Sequence, residues 1–183
     1  GNDDWTRRVE RRFAEMFERE VAVFLVPAGT VANALALAHV TPPWGAVLCH
    51  KDAHIATDEC GAPEFFGGGI KLVGLAGTAG KITPETLRGA LDHGEWGGPH
   101  HVSPAALSLT TATEYGTVYS EDHLRSLIAP VKAKGHGVHL DGARLANAVA
   151  AGFDLKSVAK MGVDILVMGG TKAGSTPTEA VVF

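Results

Sequence analysis

The stretch Val21-Ala-Val-Phe-Leu-Val26, Pro27-Ala-Gly-Thr30, Val31-Ala-Asn-Ala-Leu-Ala-Leu-Ala-His-Val40 decides the fold class. Six consecutive apolar residues are short for a core helix and suit a strand buried on both faces. Pro27-Ala-Gly-Thr30 breaks the run, and the apolar residues from Val31 to Val40 are numerous enough for a helix. The same succession of strand, turn and helix recurs downstream. Strands are predicted at Ala46 to Cys49, Ile70 to Leu75, Ala105 to Leu109, Gly137 to Leu140 and Asp164 to Met168. Helices are predicted from about His54 to Phe66, from Ser120 to Lys134 and from Ala143 to Ala151, with a polar loop from Gly94 to Pro104. An amphipathic helix carrying Trp5, Val9, Phe13, Met16 and Phe17 on one side precedes the first strand. Alternation of this kind needs crossover connections, which predicts an α/β fold with a mostly parallel sheet and helices on both faces.

The chain has 183 residues, 45% hydrophobic and 20% charged, enough apolar material for one core and one domain over residues 1–183. A net charge of −4 gives no broad positive field, and Arg7, Arg8, Arg11 and Arg12 are interleaved with Glu10, Glu15, Glu18 and Glu20. That pattern reads as a solvated helix face and argues against a nucleic-acid partner. Cys49 and Cys60 are too few for a disulfide framework, which points to a reducing cytoplasm. No apolar run approaches membrane-spanning length, and Gly1-Asn-Asp-Asp4 has nothing of a signal peptide. Both ends are abrupt: Ala180-Val-Val-Phe183 reads as an unfinished strand, so a fragment of a longer protein is expected.

In sheets of this class ligands sit beyond the carboxyl ends of the strands. Four predicted strand ends carry polar groups there: Gly29-Thr30, His54 with nearby Glu59, Asp141 with Arg144, and Thr171-Lys172. Gly29 and Thr30 open a helix whose free amides attract a phosphate; the plainer reading is a turn with Thr30 as N-cap. A half-buried Asp141 can keep a pyridine nitrogen protonated, and Arg144 can fork onto a substrate carboxylate. The plainer reading makes Asp141 an N-cap and Arg144 its ion-pair partner. Lys172 follows the apolar Ile165-Leu-Val-Met168 and the turn Gly169-Gly-Thr171, a setting that favours a neutral, nucleophilic amine. Its plainer reading is a lysine whose head reaches solvent.

These residues resemble the low-specificity threonine aldolases, within the beta-eliminating lyase group of fold-type-I pyridoxal-phosphate enzymes. The resemblance covers nearly the whole chain. It is carried by Pro27-Ala-Gly-Thr-Val-Ala-Asn33, His54 to Ala62, Thr113-Glu-Tyr-Gly-Thr-Val-Tyr119, His139-Leu-Asp-Gly-Ala-Arg-Leu-Ala-Asn147 and Gly170-Thr-Lys-Ala-Gly174. It implies the large domain of the aspartate-aminotransferase-like fold and pyridoxal 5'-phosphate as cofactor. By that resemblance Gly29 and Thr30 join the phosphate cradle, His54 stacks on the pyridine ring and Asp141 pairs with the pyridine nitrogen. Arg144 meets the substrate carboxylate, and Lys172 carries the cofactor as a Schiff base. The implied reaction is aldol cleavage of threonine or a related β-hydroxy-α-amino acid to glycine and an aldehyde, with His54 or a bound water as base. A homo-oligomer, dimer or tetramer, is also implied.

Many members of that family carry a second histidine before the position of Gly116, where this chain reads Thr110-Thr-Ala-Thr113. They also begin earlier and continue into a smaller carboxyl-terminal domain, so this chain is expected to lack both flanks. Two neighbouring readings stand beside the aldolase: another pyridoxal-phosphate lyase acting by β-elimination, and a cofactor-binding fragment inactive by itself. A metalloenzyme reading rests on His50 and His54, four residues apart, with Asp58 and Glu59 beyond. It lacks the glutamate a zinc peptidase needs between the histidines, and no metal is expected. His93, His100 and His101 are expected to be solvated loop residues.

Overall fold

The computed structural model of this protein describes residues 3–183; Gly1 and Asn2 lie outside the described residues. Helix α1 (Asp4–Phe17), strand β1 (Val23–Val26), helix α2 (Gly29–Val40) and strand β2 (Gly45–His50) open the chain. Helices α3 (His54–Thr57) and α4 (Ala62–Phe66), strand β3 (Lys71–Leu75), strands β4 (Gly77–Thr78) and β5 (Lys81–Ile82), and helix α5 (Pro84–His93) follow. Then come β6 (Ser103–Thr110), α6 (Glu121–Ala133), β7 (Gly137–Gly142), α7 (Leu145–Ala150) and α8 (Ser157–Lys160). Strand β8 (Ile165–Gly169), a 3-10 turn (Thr171–Ala173) and β9 (Glu179–Val182) complete them.

Seven strands form one sheet in the order β1-β9-β8-β7-β6-β2-β3, and β4 pairs with β5 as a separate hairpin. The run from β3 to β8 is parallel throughout. Only β9 runs against its neighbours, β8 on one side and β1 on the other. The mostly parallel sheet that the alternation predicts is therefore present, with an antiparallel margin supplied by the run at the end of the sequence.

Strand parity divides the core. Val138 and Leu140 of β7 join Leu107 and Leu109 of β6 in a large cluster with Leu124, Leu127 and Ile128 of α6. Alternate residues of the strands face the other way, where Ala32 and Ala36 of α2 pack on Ile165, Val167 and Val181. Small residues on α2 let it lie close to the sheet: a Cβ on Gly137 would stand 2.8 Å from Val40 Cβ. His139 and Asp141 fall on this α2 side of β7, which puts Asp141 within reach of α2's Asn33.

Two expectations are corrected. The run Val21 to Val26 is not buried on both faces, because β1 is an edge strand with Phe24 59% and Leu25 55% exposed. The segment His54 to Phe66 is two short helices, separated where Cys60 and Gly61 take left-handed φ of 53° and 73°. A residue pair in that conformation cannot continue an α-helix. Helices α5 and α8 and the β4–β5 hairpin add to the elements read from the sequence; α8 and the hairpin strands are too short for a periodic signal, whereas Thr83-Pro84 with Leu87 and Leu91 marks α5. No helix among the described residues is long and apolar enough to cross a membrane.

Candidate active site

At the carboxyl ends of β1, β2, β7 and β8 the sheet opens into a cleft of about 260 Å³. Its wall includes Gly29, Thr30, Asn33, His54, Glu59, Asp141, Lys172 and Glu179. Residues drawn from four separate stretches of sequence, Gly29 with Thr30, His54, Asp141 and Lys172, thus meet in one place. Arg144 stands outside this wall, and its guanidinium lies 3.3 Å and 3.4 Å from the two carboxylate oxygens of Glu114. The pairing of Arg144 with Asp141 considered from sequence does not occur, because β7 ends on Gly142 and turns Arg144 toward the β6–α6 connection.

Helix α2 presents its N-terminus to the cleft without a side-chain cap. Ala28, extended at φ −152° and ψ 149°, is the capping residue, so Thr30 is not the N-cap. The first helical hydrogen bond runs from the Ala32 amide to the Ala28 carbonyl, which leaves the amides of Gly29, Thr30 and Val31 ahead of it. A Cβ built on Gly29 meets nothing within 4 Å. An uncapped amide cluster at the positive end of a 12-residue helix, with open space in front, is suited to an anion.

Below that helix end lies a buried polar network. Asp141 is 1% exposed; its Oδ1 accepts from the Ala143 amide at 2.9 Å and its Oδ2 from Asn33 Nδ2 at 3.2 Å. Asn33 Nδ2 also donates to Glu59 Oε1 at 2.7 Å, and His54 Nδ1 lies 2.8 Å from that same oxygen. Burial pushes the Glu59 carboxyl above its ordinary range, against the pull of its hydrogen bonds with Asn33 and His54.

Lys172 sits on the 3-10 turn that follows β8, exposed at the edge of the cleft. The desolvation that its apolar approach run suggested does not extend to its own position: the run is buried in β8, and the turn carries the lysine out of it. Gly169 and Gly170 make the turn possible, since a Cβ at either would stand 2.3 Å from the Ala143 carbonyl oxygen or 2.4 Å from that of Thr178. Glu179, 5% exposed, accepts from the Gly170 amide at 2.9 Å and ties the turn to β9.

Asn33 and Glu179 were not singled out from sequence. Asn33 carried a signal, as the one amide in an apolar helix, whereas Glu179 at the start of an apolar run had none. His50 does not line the cleft with His54, and its Nδ1 accepts from the Asp52 amide at 3.1 Å. Among the described residues no group of three or more His, Cys, Asp or Glu side chains is placed to hold a metal ion. His93, His100 and His101 are exposed.

The family model of the beta-eliminating lyases matches residues 1–183. The chain belongs to this family. It is 43% identical, over its whole length, to a low-specificity L-threonine aldolase of Pseudomonas aeruginosa, of which it spans 53%. A solved structure of the threonine aldolase of Leishmania major superposes with a TM-score of 0.92 at 32% identity, covering all of this chain and 53% of that one. An aspartate aminotransferase of Rhodobacter sphaeroides, 16% identical over 96% of this chain and 46% of its own, superposes with a TM-score of 0.69 and shows the fold alone. The chain spans about half the length of the relatives it matches.

Proposed function

We propose that this chain is the cofactor-holding large domain of a pyridoxal-phosphate-dependent carbon–carbon lyase. Its substrate would be threonine or a related β-hydroxy-α-amino acid, cleaved to glycine and an aldehyde. One observation carries the reading: a single cleft gathers an uncapped helix N-terminus, a buried carboxylate, an imidazole and a lysine. That donor set fits pyridoxal 5'-phosphate. The amides of Gly29 to Val31 suit the phosphate, and the open space at Gly29 allows its close approach. Asp141 suits the pyridine nitrogen and Lys172 the aldehyde carbon. When bound, the cofactor supplies an electron sink for the bond broken at the substrate's α-carbon.

The chain's own groups then have distinct tasks. Asp141, its two oxygens fixed by Asn33 and Ala143, would pair with the cofactor's ring nitrogen and favour its protonated form. His54 presents an imidazole that can hold or move the β-hydroxyl proton. Arg144 exchanges Glu114 for the substrate carboxylate, a bidentate contact that orients the α-carbon. Two free cysteines, Cys49 and Cys60, accord with a reducing cytoplasm, and a homo-oligomer accords with the relatives' family.

The test is chemical. Incubation with pyridoxal phosphate followed by borohydride reduction and peptide mapping should place the label on Lys172, and Lys172→Ala should abolish it. Label retained at the parent level in that variant defeats the assignment. Glycine release from threonine is then measured on this chain and on one of the relatives' length; formation of a keto acid and ammonia in place of an aldehyde would mark β-elimination instead.

A further inference from the structure

We infer that Glu59 is the positioning residue for His54: its buried carboxylate keeps the imidazole proton on Nδ1 and leaves Nε2 as the ring's acceptor in the cleft. Through Asn33, the same carboxylate is tied to Asp141. What the cleft binds rests on the reading above, but the state of the ring does not.

The hydrogen assignment follows from the donors. Asn33 Nδ2 lies between Glu59 Oε1 at 2.7 Å and Asp141 Oδ2 at 3.2 Å. An amide nitrogen can only donate, so Glu59 Oε1 accepts from Asn33, a contact that favours the ionised carboxylate. Against that carboxylate His54 Nδ1, 2.8 Å from the same oxygen, is the donor. The hydrogen bond on one ring nitrogen sets the state of the other, and His54 Nε2 has no partner among the described residues. A ring anchored this way can take up a proton at Nε2, and the resulting cation faces an acid held 2.8 Å away.

The backbone is arranged to bury that acid. Helix α3 ends at Thr57, and Cys60, a non-glycine residue at φ 53°, and Gly61 at φ 73° turn the chain between Glu59 and α4, with the Glu59 side chain inward and 0% exposed. A left-handed non-glycine residue is held against a steric preference. Burial raises the Glu59 carboxyl's pKa, and the hydrogen bonds from Asn33 and His54 are what oppose that. Oε2 of Glu59 and Oδ1 of Asn33 make no protein hydrogen bond, so the network is closed on the Oε1 side alone.

The experiment is nitrogen NMR on chain labelled with 15N-histidine, with the His54 signals assigned by their loss in His54→Gln. The expected spectrum has a protonated Nδ1 and an unprotonated Nε2 for His54 near neutral pH. Glu59→Gln, which keeps an acceptor oxygen, should retain that pattern, and Glu59→Ala should move the proton to Nε2. In the chain of the relatives' length, glycine release should fall on the order of a hundredfold in Glu59→Ala, the range of a misplaced general base. A parent spectrum with the proton on Nε2, or one unchanged by Glu59→Ala, overturns the inference. The tautomer is read on the parent chain and needs only the His54→Gln assignment, so the test survives a Glu59→Ala variant that fails to fold. If the expected tautomer is seen but pyridoxal phosphate shows no saturable absorbance change, the functional reading fails while the role of Glu59 stands.

Discussion

Asp141 illustrates how closely a single side chain is specified. Each of its oxygens faces a donor, Ala143 N and Asn33 Nδ2, and Asn33 cannot turn its carbonyl toward Asp141 without presenting it to Glu59 as well. Asp141→Asn must set an NH2 group against one of those donors. The expected result is a loss of about 1–3 kcal/mol of stability, read by urea unfolding, from the unmet buried group. Weaker uptake of pyridoxal phosphate, read by absorbance titration, should accompany it. At this scale the positions of Asp141 and Lys172 were legible, because a polar residue directly after an apolar strand has a foreseeable place. The engagement of Arg144 by Glu114 was not, since the two are 30 residues apart and meet only through folding.

Among the elements, α2 carries most of the functional meaning. It is apolar nearly all round, which buries it against the sheet, and its amide end is directed at the cleft. Gly29 has room for a Cβ and an ordinary backbone conformation. Gly29→Ala should therefore leave stability unchanged or raise it by less than about 1 kcal/mol. Its affinity for pyridoxal phosphate should drop on the order of tenfold, because the added Cβ crowds the open space through which a phosphate would reach the amides, although the amide itself is kept. Equal losses of stability and affinity would show that the glycine serves packing alone. The break between α3 and α4 was passed over although Gly61 and Pro63 mark it; what sequence proximity does not reveal is the inward demand on Glu59, which comes from Asn33 and His54.

For the molecule as a whole, His139 links acid sensitivity to the central strands. It is 0% exposed, its Nδ1 lies 2.9 Å from Ser108 Oγ, and burial holds its pKa down from 6.5 to about 4. The folded protein keeps this ring neutral, whereas the unfolded chain binds a proton below its own value of 6.5. Stability should thus be level above that pH and fall between about 6.5 and about 4, by as much as about 3 kcal/mol. The raised Glu59 contributes the opposite slope above 4.5, so the measurement is the difference between parent and His139→Gln in urea midpoint at pH 7 and pH 4.5. A difference that does not change with pH would remove His139 from the account. Leu140 next to it, 0% exposed in the main cluster, should cost about 2–5 kcal/mol on Leu140→Ala, read in the same unfolding assay.

The order of apolar runs and helices by itself determined the parallel sheet, because crossover connections leave few alternatives, and strand ends named Gly29, Thr30, His54, Asp141 and Lys172 as neighbours. Those are local readings, set by periodicity and by the rule that parallel strands end on one side. Only the tertiary structure decided that β1 is an edge strand, that Arg144 is held by Glu114, and that Asn33 and Glu59 join His54 to Asp141. Each depends on which strands become neighbours and how closely α2 lies on them, and such distances are fixed by packing between segments far apart in the chain.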